Sequence, residues 1–228
     1  MNDTAFILFR PPRQTRRVDG RFEYRVWPRP SHPAVSMLQG LFPLTNAERR
    51  VDIYLMGEAS DAVLVKLRDG SRLEIKRRGK DVGSVQFWEM PVSTRFPLTV
   101  AERVQLAAAL GLQERLSAEA GLSPAHLLTA LAALRRRVDP RMVRKSRLVF
   151  DVGGCRAEIC RVATGDRAGL SVALEATDIP SIASAMDTLR IGGLPNRSFG
   201  EALCRLFAAH PDVRGLPAAV PHNRWRST

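Results

Sequence analysis

The sequence predicts an α+β protein: an antiparallel β-barrel of about eight strands, tunnel-like, with helices packed outside. Three observations carry this. Short runs alternate apolar and charged residues; tight-turn dipeptides separate several of these runs; and helical periodicity is confined to stretches between or after them. So many short strands are best served by closure, which leaves no unpaired edge.

The first strand begins at Arg21, where Phe22, Tyr24 and Val26 alternate with Glu23 and Arg25. Residues 32–42 read as a short helix. Strands follow at about 48–56, 61–68, 71–78 and 84–92, with Asp69-Gly70 as a hairpin turn between two of them. Thr99 and Glu102 form a capping box ahead of Val104, Ala107, Ala108 and Leu110, so a helix begins there. Ser123-Pro124 opens another, with Leu127, Leu128, Leu131 and Leu134 as apolar positions; it ends in Arg135-Arg136-Arg137, where the helix dipole favours cations, with Pro140 beyond. Strands return at about 143–150, 154–163 and 168–177, joined by Gly153-Gly154 and by a turn containing Gly165 and Asp166. Two amphipathic helices close the chain, the last with Phe199, Ala202, Leu203, Leu206 and Phe207 on one face. This divides the chain into a flexible basic arm (1–19), one barrel domain (20–210) with a helical insertion near 99–137, and a tail (211–228).

Lysine and arginine number 35 against 23 acidic residues, 35 − 23 = +12, in 228 residues. Such an excess repels itself and implies an anionic partner: nucleic acid, an anionic membrane surface or a small polyphosphate. Cys155, Cys160 and Cys204 include no CxxC pair, which argues against a zinc site or disulfide framework and for small buried hydrophobes in a reducing compartment. No apolar run approaches the ~20 residues of a membrane-spanning helix. Ala5–Phe9 is too short for a signal sequence, so a cytoplasmic location and no membrane partner are expected. His32, His126, His210 and His222 show no ligand spacing, and Asp178 is placed to cap the helix after it.

The polar faces of the strands are more informative. They read Glu23 and Arg25; Arg50 and Asp52; Lys66 and Arg68; Arg72, Glu74, Lys76 and Arg78; Lys145 and Arg147; Arg156 and Glu158; Glu175. That is ten cations and five acids on one set of alternating positions. The opposite positions (Val63, Val65, Leu67, Leu73, Ile75, Leu148, Ile159, Val172 and Leu174) stay apolar and would pack outward under the helices. A polar face turned inward makes a wet cationic lumen, which suits a compact chain of phosphates because low-dielectric walls concentrate the field.

Several segments resemble the CYTH, or triphosphate tunnel metalloenzyme, superfamily. They are Phe22-Glu23-Tyr24-Arg25, Val63-Leu64-Val65-Lys66-Leu67-Arg68, Leu73-Glu74-Ile75-Lys76, Arg144-Lys145-Ser146-Arg147 and Val172-Ala173-Leu174-Glu175, with Asn196-Arg197-Ser198-Phe199 after a helix. The likeness spans about 21–208. It implies a tunnel barrel that binds triphosphate, polyphosphate or a nucleoside triphosphate and hydrolyses it with Mg²⁺ or Mn²⁺. It implies Glu23 and Glu175 as catalytic residues and metal ligands, with Glu158 a third metal candidate by strand parity; Lys66, Arg68, Lys76, Lys145 and Arg147 lie in its basic strands, and Arg25, Arg50 and Arg78 join them as phosphate-binding candidates from the same polar faces. The opening Glu-x-Glu-x-Lys of that family reads Glu23-Tyr24-Arg25-Val26-Trp27 here, and its closing Glu-x-Glu reads Glu175-Ala176-Thr177. An arginine in place of an acid shifts the site from metal ligation towards direct anion binding. The alternatives are an inactive sensor of a phosphate ligand and a nucleic-acid-binding protein. The second predicts an exterior cationic patch; against it, only 6% of residues are aromatic and no RNP or GxxG-type signature occurs.

Overall fold

A computed structural model describes residues 20–57, 59–112, 116–133 and 138–205. The arm, the tail, Arg135–Arg137, Leu206, Phe207, His210 and His222 lie outside the described residues. Eight strands are present among the described residues: β1 (Arg21–Val26), β2 (Leu44–Met56), β3 (Val63–Arg68), β4 (Arg72–Arg78), β5 (Gln86–Arg95), β6 (Asp139–Val152), β7 (Cys155–Thr164) and β8 (Arg167–Ala176). They form one closed barrel in the order β1-β5-β4-β3-β2-β6-β7-β8, with every pairing antiparallel. The expected fold class is therefore the observed one.

Among the described residues five helices accompany the barrel: α1 (Pro33–Leu41), α2 (Val100–Ala109), α3 (Pro124–Ala133), α4 (Ile179–Leu189) and α5 (Phe199–Arg205), with a 3₁₀ turn at Glu119–Gly121. The predicted caps hold. Thr99 and Glu102 form the capping box of α2, and Asp178 accepts from the Ser181 amide at the start of α4. His32 caps α1 through Nδ1, and His126 contacts Ser123. The hairpin turn between the paired Arg68 and Arg72 is the three residues Asp69-Gly70-Ser71, with positive φ at Asp69 and Gly70, 50° and 63°.

Strand lengths differ most from expectation at the β2–β6 pair, which runs from Leu44 opposite Phe150 to Met56 opposite Asp139. Pro140 reads in the sequence as a helix stop, but it sits opposite Leu55 at the beginning of β6, where a strand tolerates a residue without an N–H.

Period-two alternation sorts the side chains as the sequence implies. Ile159, Val172 and Leu174 point outward into a cluster with Leu38 of α1 and Ile182 and Leu189 of α4. Val65, Leu67, Leu73 and Ile75 do the same against Leu106 of α2 and Leu127 and Leu131 of α3. Fully burying one such side chain stabilises the fold by about 1.5–3 kcal/mol, so the two outer clusters hold the barrel from outside and leave its interior free to be polar. Cys155 and Cys160 are buried and free as expected; Cys204 is exposed, because it falls on the outer side of α5.

Helix α5 closes one end of the barrel. Ala202, Leu203 and Phe199 pack with Tyr54, Met56, Val143, Cys160 and Val162, all from the inner face of the strands. Its approach is so close that a Cβ on Gly200 would stand 1.7 Å from the Ser60 carbonyl oxygen, so only glycine fits there.

Candidate functional site

The cavity inside the barrel is small, about 60 Å³. Six cations line it from five strands: Arg25 (β1), Arg50 (β2), Lys66 (β3), Lys76 (β4), and Lys145 and Arg147 (β6). Glu23, Glu74, Glu158 and Glu175 line the same space, and Tyr54, Leu64 and Phe199 form its floor. The floor is tied to β1. Asn196 accepts from the Arg25 amide at 2.8 Å and donates to the Glu23 carbonyl at 3.2 Å, and the Arg197 amide donates to the Arg25 carbonyl at 2.8 Å. Ser198 and Glu201 then cap α5 reciprocally, which fixes Phe199 under the lumen.

Each cation has an acidic partner. Arg25 donates from Nε to Glu23 at 2.8 Å and from NH1 to Glu158 at 3.3 Å and to Ser171 at 3.0 Å. Lys76 lies 3.7 Å from the other oxygen of Glu23. Arg147 makes a two-pronged contact with Glu158 Oε2 and also reaches Glu48. Asp52, with no exposed surface, is surrounded by Lys145 (3.0 Å), Arg50 (3.0 Å) and Lys66 (3.8 Å). Lys66 also meets Glu74 at 3.0 Å, and Glu175 meets Arg156 at 3.4 Å. Among the described residues no buried side-chain nitrogen or oxygen lacks a hydrogen-bond partner, so the electrostatic cost of burying these charges is met from within the lumen.

The acids respond to this environment. Burial pushes the carboxyl of Glu158 up, but Arg25 and Arg147 outweigh it and hold it well below the usual range. Burial is likewise overcome at Asp52 by Lys145, Lys66 and Arg50, and at Glu23 by Arg25 and Lys76. Lys145 goes the other way: burial lowers its pKa, and Asp52 only partly restores it. Its ammonium lies 3.9 Å from the Phe199 ring centre and donates to the Tyr54 hydroxyl at 2.7 Å. Burial raises the Tyr54 hydroxyl to about 12.

The sequence-predicted site residues do not all gather. Arg25, Arg50, Lys66, Lys76, Lys145, Arg147, Glu23, Glu158 and Glu175 line the cavity. Arg68 stands at the mouth, its side chain 41% exposed, against Glu74 and Glu48. At the α5 end the Arg78 guanidinium pairs with Asp81 at 2.5 Å and lies 3.6 Å from Glu201, outside the residues that line the cavity. Strand parity turns Arg78 inward, but the strand ends there and the side chain turns to the loop. Sequence reasoning missed Glu48, Tyr54 and the lumen role of Phe199. Glu48 and Tyr54 lie on the same alternation as Arg50 and Asp52 and were legible in it. Phe199 was assigned to a helix face, and nothing in its spacing says that the helix enters a barrel.

The donors present do not suit a divalent cation as they stand. Mg²⁺ or Mn²⁺ needs carboxylate oxygens with free lone pairs, and Glu23, Glu158 and Glu175 are all engaged by nitrogen donors. Among the described residues no group of three His, Cys, Asp or Glu could hold a metal ion.

The architecture is the closed, charge-lined barrel that the resemblance to the CYTH superfamily implies. No family model and no curated protein matches the chain. Several solved structures are similar. A conserved hypothetical protein from Pyrococcus furiosus is 14% identical, over 79% of this chain and 98% of that one, with a TM-score of 0.47. A candidate adenylate cyclase from Bacillus halodurans is 11% identical over 82% and 96%, TM-score 0.47. A candidate adenylyl cyclase from Hippeastrum, described as having a dominant triphosphatase activity, is 15% identical over 84% and 98%, TM-score 0.47. No helix among the described residues is long and apolar enough to cross a membrane.

Proposed function

We propose that the barrel lumen binds a compact anion of the triphosphate or polyphosphate class. One observation carries this reading: six lysine and arginine side chains from five strands converge on one cavity. Arginine forks match phosphate oxygens two at a time, and cations spread around a closed wall suit several phosphates better than one. A bound anion exchanges the lumen carboxylates for its own oxygens, so the internal ion pairs serve the empty state. Hydrolysis assisted by Mg²⁺ or Mn²⁺ depends on acids that are tied to cations, and binding is accordingly the function put forward.

Thermal unfolding tests this with tripolyphosphate, monophosphate, ATP, thiamine triphosphate and an oligonucleotide, each in EDTA, Mg²⁺ and Mn²⁺. At ~100 times its dissociation constant a ligand adds about 2.7 kcal/mol to stability, a rise of several degrees in midpoint. Tripolyphosphate is expected to produce that rise and monophosphate is not. A rise with the oligonucleotide alone overturns the reading in favour of a nucleic-acid surface. Phosphate release from tripolyphosphate, followed alongside, decides whether the anion is also cleaved.

A further inference from the structure

We propose that Arg25 is a built-in cation occupying the place among Glu23, Glu158 and Glu175 where a divalent metal would otherwise sit, so that the lumen takes up its phosphate anion without a metal ion. The inference rests on the anion-binding reading and says how that site is charged.

Arg25 projects from β1 between strands that carry the three acids. Glu23 lies two residues before it, Glu175 is the register partner of Glu23 on β8, and Glu158 is opposite Ala173, which is itself the partner of Arg25. The guanidinium reaches Glu23 Oε1 at 2.8 Å and Glu158 Oε1 at 3.3 Å, and the charge of Glu175 also favours its protonated form. The other oxygens of Glu23 and Glu158 have partners as well: Lys76 lies by Glu23 Oε2 and Arg147 holds Glu158 Oε2, while Glu175 is met at Oε2 by Arg156 at 3.4 Å.

The arginine is built in firmly. Only 3% of its surface is exposed, Ser171 accepts a further N–H at 3.0 Å, and the Phe199 ring covers it with the guanidinium carbon 4.5 Å from the ring centre. Its backbone is clamped on both sides by Asn196 and Arg197. A fixed guanidinium with this many partners cannot swing aside at small cost, and a second cation placed among the same acids meets it at close range.

The charges close without a metal. Around Glu23, Glu158 and Glu175 stand Arg25, Lys76, Arg147 and Arg156, and with Arg50, Lys66, Arg68 and Lys145 against Glu48, Asp52 and Glu74 the connected network holds eight cations and six acids among the described residues. The centre is already net positive before any ion enters, which is the condition a divalent metal usually supplies for a phosphate anion. Arg25 supplies it as a hydrogen-bonding cation that cannot lose its proton in the accessible pH range.

The test uses the full chain and two probes. Mn²⁺ is titrated into wild type, Arg25→Gln and Arg25→Ala, with binding followed by electron paramagnetic resonance; circular dichroism checks folding. Wild type is expected to show no saturable site, and Arg25→Gln, which keeps a neutral hydrogen-bonding side chain, is expected to gain one that Glu23→Gln in the same background removes. Tripolyphosphate is then titrated into wild type by calorimetry in EDTA, where affinity is expected to be retained. Saturable Mn²⁺ binding to wild type that Glu23→Gln abolishes overturns the inference, whether or not the Arg25 variants fold. Loss of tripolyphosphate binding in EDTA, restored by Mg²⁺, also overturns it while leaving the anion-binding reading in place. Absence of tripolyphosphate binding in every condition removes that reading instead, and the Mn²⁺ titration alone then decides the role of Arg25.

Discussion

Glu23 and Glu175 stand opposite each other in register across the β1–β8 seam that closes the barrel, yet each is held by its own cations. Glu23 pairs with the buried Arg25 and with Lys76, whereas Glu175 pairs with Arg156, whose side chain is 40% exposed. The two acids therefore differ in what their loss exposes. Glu23→Gln is expected to destabilise the fold by roughly 1–3 kcal/mol, because a buried guanidinium loses a charged acceptor. Glu175→Gln, next to a solvated partner, is expected to cost about 1 kcal/mol or less. Tripolyphosphate affinity should be equal or higher in both, since each removes a negative charge near the anion. Urea unfolding and calorimetry measure the two effects separately.

Glu48 gathers Arg50, Arg147 and Arg68 at the mouth of the lumen, where an entering anion needs those same donors. It is the more exposed of the lumen acids, and burial is outweighed by Arg50 and Arg147, which keep it ionised. Removing about 1 kcal/mol of repulsion across the mouth corresponds to about fivefold tighter binding. Glu48→Gln is expected to show that gain by calorimetry, with a larger dependence of affinity on salt, because the net attraction that salt screens is stronger.

Arg68 and Arg78 read alike in the sequence and separate in the fold. Arg68→Ala is expected to weaken tripolyphosphate binding, as are Lys66→Ala and Arg147→Ala, by about tenfold for a lost contact of about 1.4 kcal/mol. Arg78→Ala, whose partners are Asp81 and Glu201, is expected to leave affinity unchanged. Normal binding in all the lumen variants together with a collapse of stability would mark these cations as structural pairs only.

Asp52 is the charge most dependent on its neighbours. Replacing it with asparagine strands Lys145, Arg50 and Lys66 around a neutral side chain, and breaking a buried pair in this way costs about 3–5 kcal/mol. Asp52→Asn should therefore be among the most destabilising single changes in the lumen. Adding Lys145→Met should recover part of the loss, because the most buried of the three cations is removed with its partner. A double-mutant cycle by urea unfolding checks this.

Acid should unfold the protein through the same network. Glu23, Asp52, Glu74 and Glu158 all have folded-state pKa values depressed by lumen cations against the opposing effect of burial. A depressed carboxyl contributes stability that is fully present above its unfolded value of about 4 and is lost as the pH falls through the folded one. The expected unfolding midpoint is flat between pH 7 and 5 as far as these groups are concerned, and drops steeply below about pH 4. Thermal unfolding at pH 7, 5 and 3.5 measures it.

The sequence by itself determined the strand faces. Alternation with period two is a property of each strand alone, so Lys66 and Lys145 could be turned inward and Leu67 and Ile159 outward before any pairing was known. The turn at Asp69-Gly70 and the capping box of Thr99 and Glu102 are local in the same way. Which acid meets which cation was decided only by the closed barrel. Arg25 reaches Glu158 across 133 positions, Arg147 reaches Glu48 across 99 and Lys145 reaches Asp52 across 93. Those meetings depend on the register of strands far apart in the chain, and a shift of one residue turns every side chain of a strand to the other face. The same holds for Phe199. Its apolar spacing is that of any amphipathic helix, and only the clamp of Asn196 and Arg197 on β1 places it beneath the charges as the floor of the lumen.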